Sequence, residues 1–365
     1  MALALTGRAS WTQRSYDRLA REAYLRNAVA FRCVRMIADG VGSLPLLLYE
    51  GERELDAHDF LTLLARPNPG QSGVEFMEAL AASLALSGNG YVEAVSAGEA
   101  LRELHVLRPE RMRIHSGPGG WPDAYDYTVG GQTIRYPIGP DGDCSILHLR
   151  AHHPFDDHYG LSPLEPAAQA IDIHNSGAEW TKALLDNAAR PSGALVFEGA
   201  EGNVSDEQFA RLKAELQENY QGAKNAGRPL LLEGGLKWTA MGLTPTDMDH
   251  REARSAAARE IALAFGVPPL LLGLPGDNTF ANYREANLAF WRQTVLPLAG
   301  KIAAALGAWA GRRFGEGLRL GHDLDAVPAL APEREALWAR VSAAPFLSDD
   351  EKRLALGYGA SEDGR

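Results

Sequence analysis

Cysteine is almost missing from this sequence. Two occur in 365 residues, Cys33 and Cys144, far apart and without CxxC spacing. A disulfide scaffold or structural zinc site is therefore not expected, and reduced, buried thiols in a cytosolic protein are the simpler reading. Cations are also short: 36 Lys and Arg stand against 47 Asp and Glu, for a formal net charge of −11. No basic run exceeds a pair such as Arg312-Arg313. Proteins that grip many phosphates rely on clustered cations, so the composition argues against tight DNA binding and leaves room only for weak, local or repulsive contact. Long apolar runs are lacking too. Leu298 to Ala310 is broken by Lys301, and Val41 to Tyr49 is short and holds Pro45, whereas a membrane span needs ~18 apolar residues. No membrane association is expected. The start, MALALTGRAS, shows neither a basic leader with an apolar stretch nor a clear cleavage site, so no secretory signal is expected. Phosphate-loop, dinucleotide-fingerprint, HExxH and GxSxG motifs are all missing, which predicts no ATP hydrolysis by this chain and implies no cofactor.

What is present suits a folded protein with one large or two smaller cores, since 45% of residues are hydrophobic and 23% charged. The fold class reads as α+β. A helix is predicted from about Tyr16 to Gly40, a strand over Leu44 to Glu50, and a second helix over Val74 to Leu86, stopped at Gly88-Asn89-Gly90. Strand patterns follow at Tyr91–Val95, Arg102–Leu107, Tyr125–Val129, Gln132–Tyr136 and Ser145–Leu149. Gly130-Gly131 marks a two-residue hairpin, because glycine tolerates the positive φ of such turns.

The organisation changes near Pro163. A long helix over Pro166 to Arg190 leads into an insert with strands at Ala194–Glu198, Leu230–Glu233 and Leu236–Ala240 and a helix over Asp206–Tyr220. That helix has a thin apolar stripe, Phe209, Leu212, Leu216 and Tyr220, and so a small core. A second long helix begins at Thr246 and ends at Gly266 before Pro268-Pro269. Its middle, REARSAAARE, buries little against its own chain but lets another helix, including that of a neighbouring copy, come close. A third helix runs from about Asn282 to Ala310, with Pro297 expected to kink it and Tyr283, Phe290, Leu298, Ile302, Leu306 and Trp309 near one face. The tail carries short helices over Pro332–Ala343 and Ser348–Leu356.

Two places invite a functional reading. His148, His152, His153, Asp156, Asp157 and His158 are ligand types for a transition metal, and a metal-dependent hydrolase is the alternative they raise; another oligomeric adaptor or scaffold protein built on helical hairpins is a further alternative. Pro154 interrupts the cluster and no pair has helical ligand spacing, so a polar loop after a strand is the plainer account. Asp277-Asn278-Thr279-Phe280 lies between two helices, where Asn278 or Thr279 could simply cap the following one.

The flanks of that loop carry a resemblance. GLSPLEPAAQAIDIHNSGAEW, NAARPSGALVFEG, VSDEQFARLKAELQENYQGAKNAGRPLLLEGGLKW, REIALAFGVPPLLLG and FANYREANLAFWRQTVLPL occur in this order, and PFLSDDEKRLALGYG ends the chain in like fashion. Together, over roughly Ala28 to Leu306, the sequence resembles the portal proteins of Hong Kong 97-type siphophages and their relatives in gene transfer agents. The resemblance implies a non-enzymatic portal fold in a homo-oligomeric ring, commonly a dodecamer, at the capsid vertex of a virion or gene transfer agent particle assembled in the bacterial cytoplasm. Double-stranded DNA would pass through it, with the major capsid protein, terminase large subunit and head-tail adaptor as partners. On that pattern residues 1–165 form an α+β wing, 166–190 and 246–266 stem helices, and 191–245 a clip. Residues 267–281 hold a tunnel loop, 282–311 a kinked wing or crown helix, and 312–365 a crown-like tail. Asp277, Asn278, Thr279, Phe280 and Asn282 are then the channel candidates. Phe209, Leu212, Leu216, Tyr220 and Trp238 become clip residues for subunit, adaptor or terminase contact.

Overall fold

The computed structural model describes residues 16–98, 100–186, 193–197, 207, 210–211, 236–240, 250–274, 280–315 and 317–359. They fall into two compact units, one of residues 1–169 and 259–365, the other of residues 170–258. The predicted insert helix over Asp206–Tyr220, apart from Glu207, Ala210 and Arg211, and the predicted strand over Leu230–Glu233 lie outside the description.

The first helical stretch departs from expectation. Instead of one helix from Tyr16 to Gly40, α1 (Tyr16–Ala20) continues as a π turn over Arg21–Leu25, breaks, and resumes as α2 (Ala28–Gly42). Asn27 makes the break. Its backbone is extended and its Oδ1 accepts the N–H of Val29 at 3.0 Å and of Ala30 at 3.1 Å, satisfying donors that a helix start leaves open. Strands β1 (Leu46–Glu50) and β2 (Arg53–Leu55) follow, then α3 (Asp59–Ala65) and α4 (Gly73–Ser87). Ser72 and Glu75 close a capping box on α4, and Gly88 ends it at φ 71°. The faces of α2 and α4 meet through small residues: a Cβ at Gly42 would run into Glu78 and Val74.

Three small antiparallel sheets complete this unit. β3 (Asn89–Ala97) lies between β4 (Ala100–Leu107) and β8 (Ile146–Arg150), so Tyr91 is opposite both Leu107 and His148. β5 (Met112–Ser116), β6 (Pro122–Val129) and β7 (Gln132–Pro137) form the second sheet. Its β6–β7 turn is the predicted one, with Gly130 and Gly131 at φ 58° and 82°. Tyr91, Leu107, Met112, Tyr125, Cys144 and Ile146 form the core joining these two sheets. In the third sheet β1 pairs with β2 and with β11 (Leu318–His322).

In the second unit, α5 (Leu164–Asp186) contributes from Ala170 onward, β9 (Gly193–Phe197) pairs with β10 (Leu236–Ala240), and α6 (His250–Ala264) contributes as far as Ala258. The long helix that follows is continuous. α7 (Phe280–Phe290) passes through a π turn at Trp291–Val295 into α8 (Leu296–Ala310). The irregularity expected at Pro297 takes this form. Proline donates no hydrogen bond, and just before it the Leu296 N–H reaches five residues back to the Trp291 carbonyl. By length and composition the stretch Asn282–Arg313 could cross a membrane. Its apolar face is instead core: Phe290, Val295, Ala299, Ile302, Leu306 and Ala310 are buried. Of the remaining expected face residues, Tyr283 is half exposed and Trp309 donates its indole N–H to the Cys144 carbonyl at 3.0 Å.

The tail, α9 (Ala331–Ser342) and α10 (Asp349–Leu356), returns to the β1–β2 hairpin. The Tyr49 hydroxyl donates to the Gly357 carbonyl at 2.9 Å, and Arg353 reaches Glu54 at 3.0 Å.

Candidate functional site

The approach to the expected tunnel loop is built by backbone geometry. Two residues past the end of α6, Gly266 has a φ of 65° that lets its N–H bond the Leu263 carbonyl at 3.0 Å while the Val267 N–H bonds Ala262 at 2.9 Å. This pair of bonds takes up carbonyls that the helix end leaves unpaired. A 3-10 turn over Pro269–Leu272 then closes on Gly273 at φ 70° in the same manner, through Gly273 N–H to Leu270 and Leu274 N–H to Pro269, both 3.2 Å. Across from it, the Thr294 hydroxyl in the π turn donates to the Gly266 carbonyl at 2.6 Å. A Cβ on Gly266 would sit 2.8 Å from that hydroxyl. The end of α6 and the π turn between α7 and α8 are thus pinned together on either side of the loop.

Asp277, Asn278 and Thr279 lie outside the described residues. Phe280 opens α7, its side chain outside the description, and Asn282 is exposed in the first turn of α7. Phe209, Leu212, Leu216 and Tyr220 also lie outside. Trp238 is described by its backbone alone, in β10 opposite Leu195 of β9.

In the second unit α5 and α6 run beside each other at Gly177. Gly177 of α5 faces the side chain of Arg254 on α6, where a Cβ would make ordinary contact at 3.8 Å. His174, one turn earlier, is buried, and burial together with the nearby Arg254 charge lowers its pKa.

The histidine cluster is dispersed into structural roles. His148 stacks on Tyr91 with ring centroids 4.3 Å apart, and its Nε2 lies 3.0 Å from Asn89 Oδ1. Burial, with help from the Arg150 and Lys301 charges, drives its pKa down to about 3. His153 Nδ1 accepts the Phe155 N–H at 3.1 Å. Asp156 Oδ1 accepts the N–H groups of His158 and Tyr159 at 2.8 and 2.9 Å, and His158 Nε2 lies 3.2 Å from Ser116 Oγ. Among the described residues no group of three or more His, Cys, Asp or Glu is arranged to hold a metal ion. The donor types were legible in the sequence; that His148, His153, Asp156 and His158 each engage a different partner was not.

The described residues thus form an α+β unit interrupted in sequence by a helical unit with its own β ladder, with polar side chains engaged in turns, caps and packing. Residues 28–357 match the family described as phage portal protein, and the chain belongs to that family. It is a portal protein, structural rather than enzymatic. A Rickettsia bellii protein of undescribed function is 41% identical over 350 residues, covering 95% of this chain and 90% of that one. The portal protein of Enterobacteria phage HK97 is 25% identical over 310 residues, covering 79% and 68%. Among solved structures, a chain in the neck of a native gene transfer agent particle, computed with C12 symmetry, is 51% identical with a TM-score of 0.72. That match covers 98% of this chain and 97% of the other.

Proposed function

We propose that this chain forms a twelvefold ring at the capsid vertex of a gene-transfer-agent-type particle, a passive conduit for double-stranded DNA. The observation that carries the reading is the 51% identity, over nearly the whole chain, to the C12 neck subunit. Charge supports the passive part. A channel that held each phosphate would add up to tight, salt-sensitive binding, and a net charge of −11 disfavours that. The missing phosphate loop assigns the energy of packaging to a separate terminase ATPase.

Within the ring, α5 and α6 act as the stem, residues 191–245 as the clip that meets terminase and adaptor, and Asp277 to Asn282 as the loop that faces DNA. Electron microscopy of the purified chain tests the ring: a twelvefold ring with a hole of DNA width is expected, and monomers alone at high concentration would count against it. Deleting the gene should leave particles without nuclease-protected DNA. ATP hydrolysis by the purified chain would overturn the passive reading.

A further inference from the structure

Phe155 is 95% exposed. Single exposed apolar side chains are ordinary, and what distinguishes this one is the loop that presents it. The Phe155 N–H is held by His153, the next turn by Asp156 Oδ1, and the Arg150 guanidinium donates to the Asp157 carbonyl. Farther along, the Tyr159 hydroxyl accepts the Ile114 N–H at 2.9 Å. On the N-terminal side the Ala151 N–H bonds the Gly88 carbonyl at 2.7 Å, so the loop is tied to the folded body at both ends and braced locally at Phe155 itself. A side chain held in place this way loses little backbone entropy when it is covered, which is what a docking anchor requires.

Beside this loop stand two cations with no acid. Lys301 donates to the Arg150 carbonyl, and Arg150 lowers the Lys301 pKa by repulsion, after burial. Among the described residues neither side chain has a carboxylate within ion-pair distance; the closest acid in sequence, Asp156, is turned onto backbone N–H groups. The surface that complements an apolar anchor next to an unanswered cation pair is acidic, with an apolar recess. This chain has an excess of acids, 47 against 36 Lys and Arg, and in a C12 ring each copy is flanked by two others.

We infer that the loop Ala151–Tyr159 docks onto a neighbouring copy of this chain, with Phe155 inserted as the anchor and Arg150 and Lys301 facing carboxylates of that copy. The inference rests on the ring reading above. Two cations are too few to make this a DNA site, since each phosphate contact adds only one step to the salt dependence. Anchor residues of this kind dominate protein interfaces, so Phe155→Ser should raise the concentration needed for half-assembly by roughly tenfold or more.

The test places the photoreactive residue p-benzoylphenylalanine at position 155 and irradiates assembled rings, isolated and checked by electron microscopy. Covalent dimers and higher multimers of this chain on a denaturing gel are expected. Rings that form but yield no such crosslink, or particles that crosslink position 155 to a chain of different mass such as capsid protein, overturn the contact alone. If no rings form with the unsubstituted chain, the ring reading falls and the contact with it. A second variant separates docking from an internal role. Lys301→Glu would pair with Arg150 inside the subunit, so a purely internal role predicts rings at least as stable as the parent; weaker rings with an unchanged subunit Tm are expected here.

Discussion

Asn89 Oδ1 lies 3.0 Å from His148 Nε2, and the pair fixes the protonation of a partly buried imidazole. The same Oδ1 accepts the Gly160 N–H at 2.8 Å, while Nδ2 donates to the Ser87 and Gly160 carbonyls at 2.8 and 3.3 Å. A backbone N–H can only donate, so Oδ1 is the acceptor and His148 must carry its proton on Nε2. Stacking on Tyr91 and burial then keep the ring neutral. A residue that looked like a metal ligand is a joint between β3, β8 and the loop that leads to α5.

His148 therefore destabilises the fold in acid. Its folded pKa of about 3 lies below the ordinary 6.5, so between those values the unfolded chain binds the extra proton. Stability is fully present above about pH 6.5 and falls as pH drops toward 3, by on the order of 1 kcal/mol per unit at most. His148→Ala should remove that slope while costing about 2–4 kcal/mol at neutral pH through the cavity and the lost hydrogen bond. Urea unfolding across pH 4–7 checks both.

Asp325 gives an acid limit of a different kind. The Arg334 guanidinium, followed by the Tyr358 hydroxyl at 2.6 Å and the Trp338 indole N–H at 2.8 Å, holds its carboxyl down to about 2. The contribution is present above the unfolded carboxyl value and is lost as pH falls from about 4 toward 2. Asp325→Asn leaves Arg334 without its counter-charge and should cost about 1–3 kcal/mol at pH 7. Because α9 and the segment after α10 meet at this carboxylate, limited proteolysis should release the tail first in the variant.

Two glycines should respond to alanine to very different degrees. A Cβ at Gly160 would collide with the Gly88 carbonyl and the Ala151 N–H, both backbone. Neither can move without breaking the Ala151 N–H to Gly88 bond of 2.7 Å. Gly160→Ala should leave little folded protein. At Gly130 nothing lies within 4 Å and only the φ of 58° is strained, so Gly130→Ala should cost about 1–2 kcal/mol. Expression yield and Tm distinguish the two.

What could be read ahead of the structure was local. The end of α4 follows from a glycine stop, and the β6–β7 hairpin from two adjacent glycines. The break at Asn27 depends on one side chain bonding two backbone N–H groups inside an otherwise helical pattern, which periodicity does not register. β11 was missed because its five residues gain strand character only by pairing with β1, Leu46 opposite His322, far away in the chain. β5 was missed because three of its five residues are exposed, which leaves no clear alternation. At the candidate site the sequence pointed to the loop between α6 and α7, but the bond that frames it, from Thr294 to Gly266, joins two residues with no motif in common.

That bond is the place to ask whether the frame matters to the loop. Thr294→Val keeps the side-chain shape and removes only the donor to the Gly266 carbonyl. Gly266 is exposed, so water can replace the hydroxyl and the stability change should stay near 1 kcal/mol. The local effect should be larger than the global one. The π turn already departs from ordinary helical bonding, and without the tie its nearby Leu296 and Val295 amides should exchange hydrogen at least tenfold faster while those of Ile302 and Leu306, in the buried part of α8, do not change. Rings should still assemble. A drop in nuclease-protected DNA per particle, with Tm nearly unchanged, would place the α6–α7 frame in DNA passage. Unchanged packaging alongside the faster exchange would assign the tie to local rigidity alone.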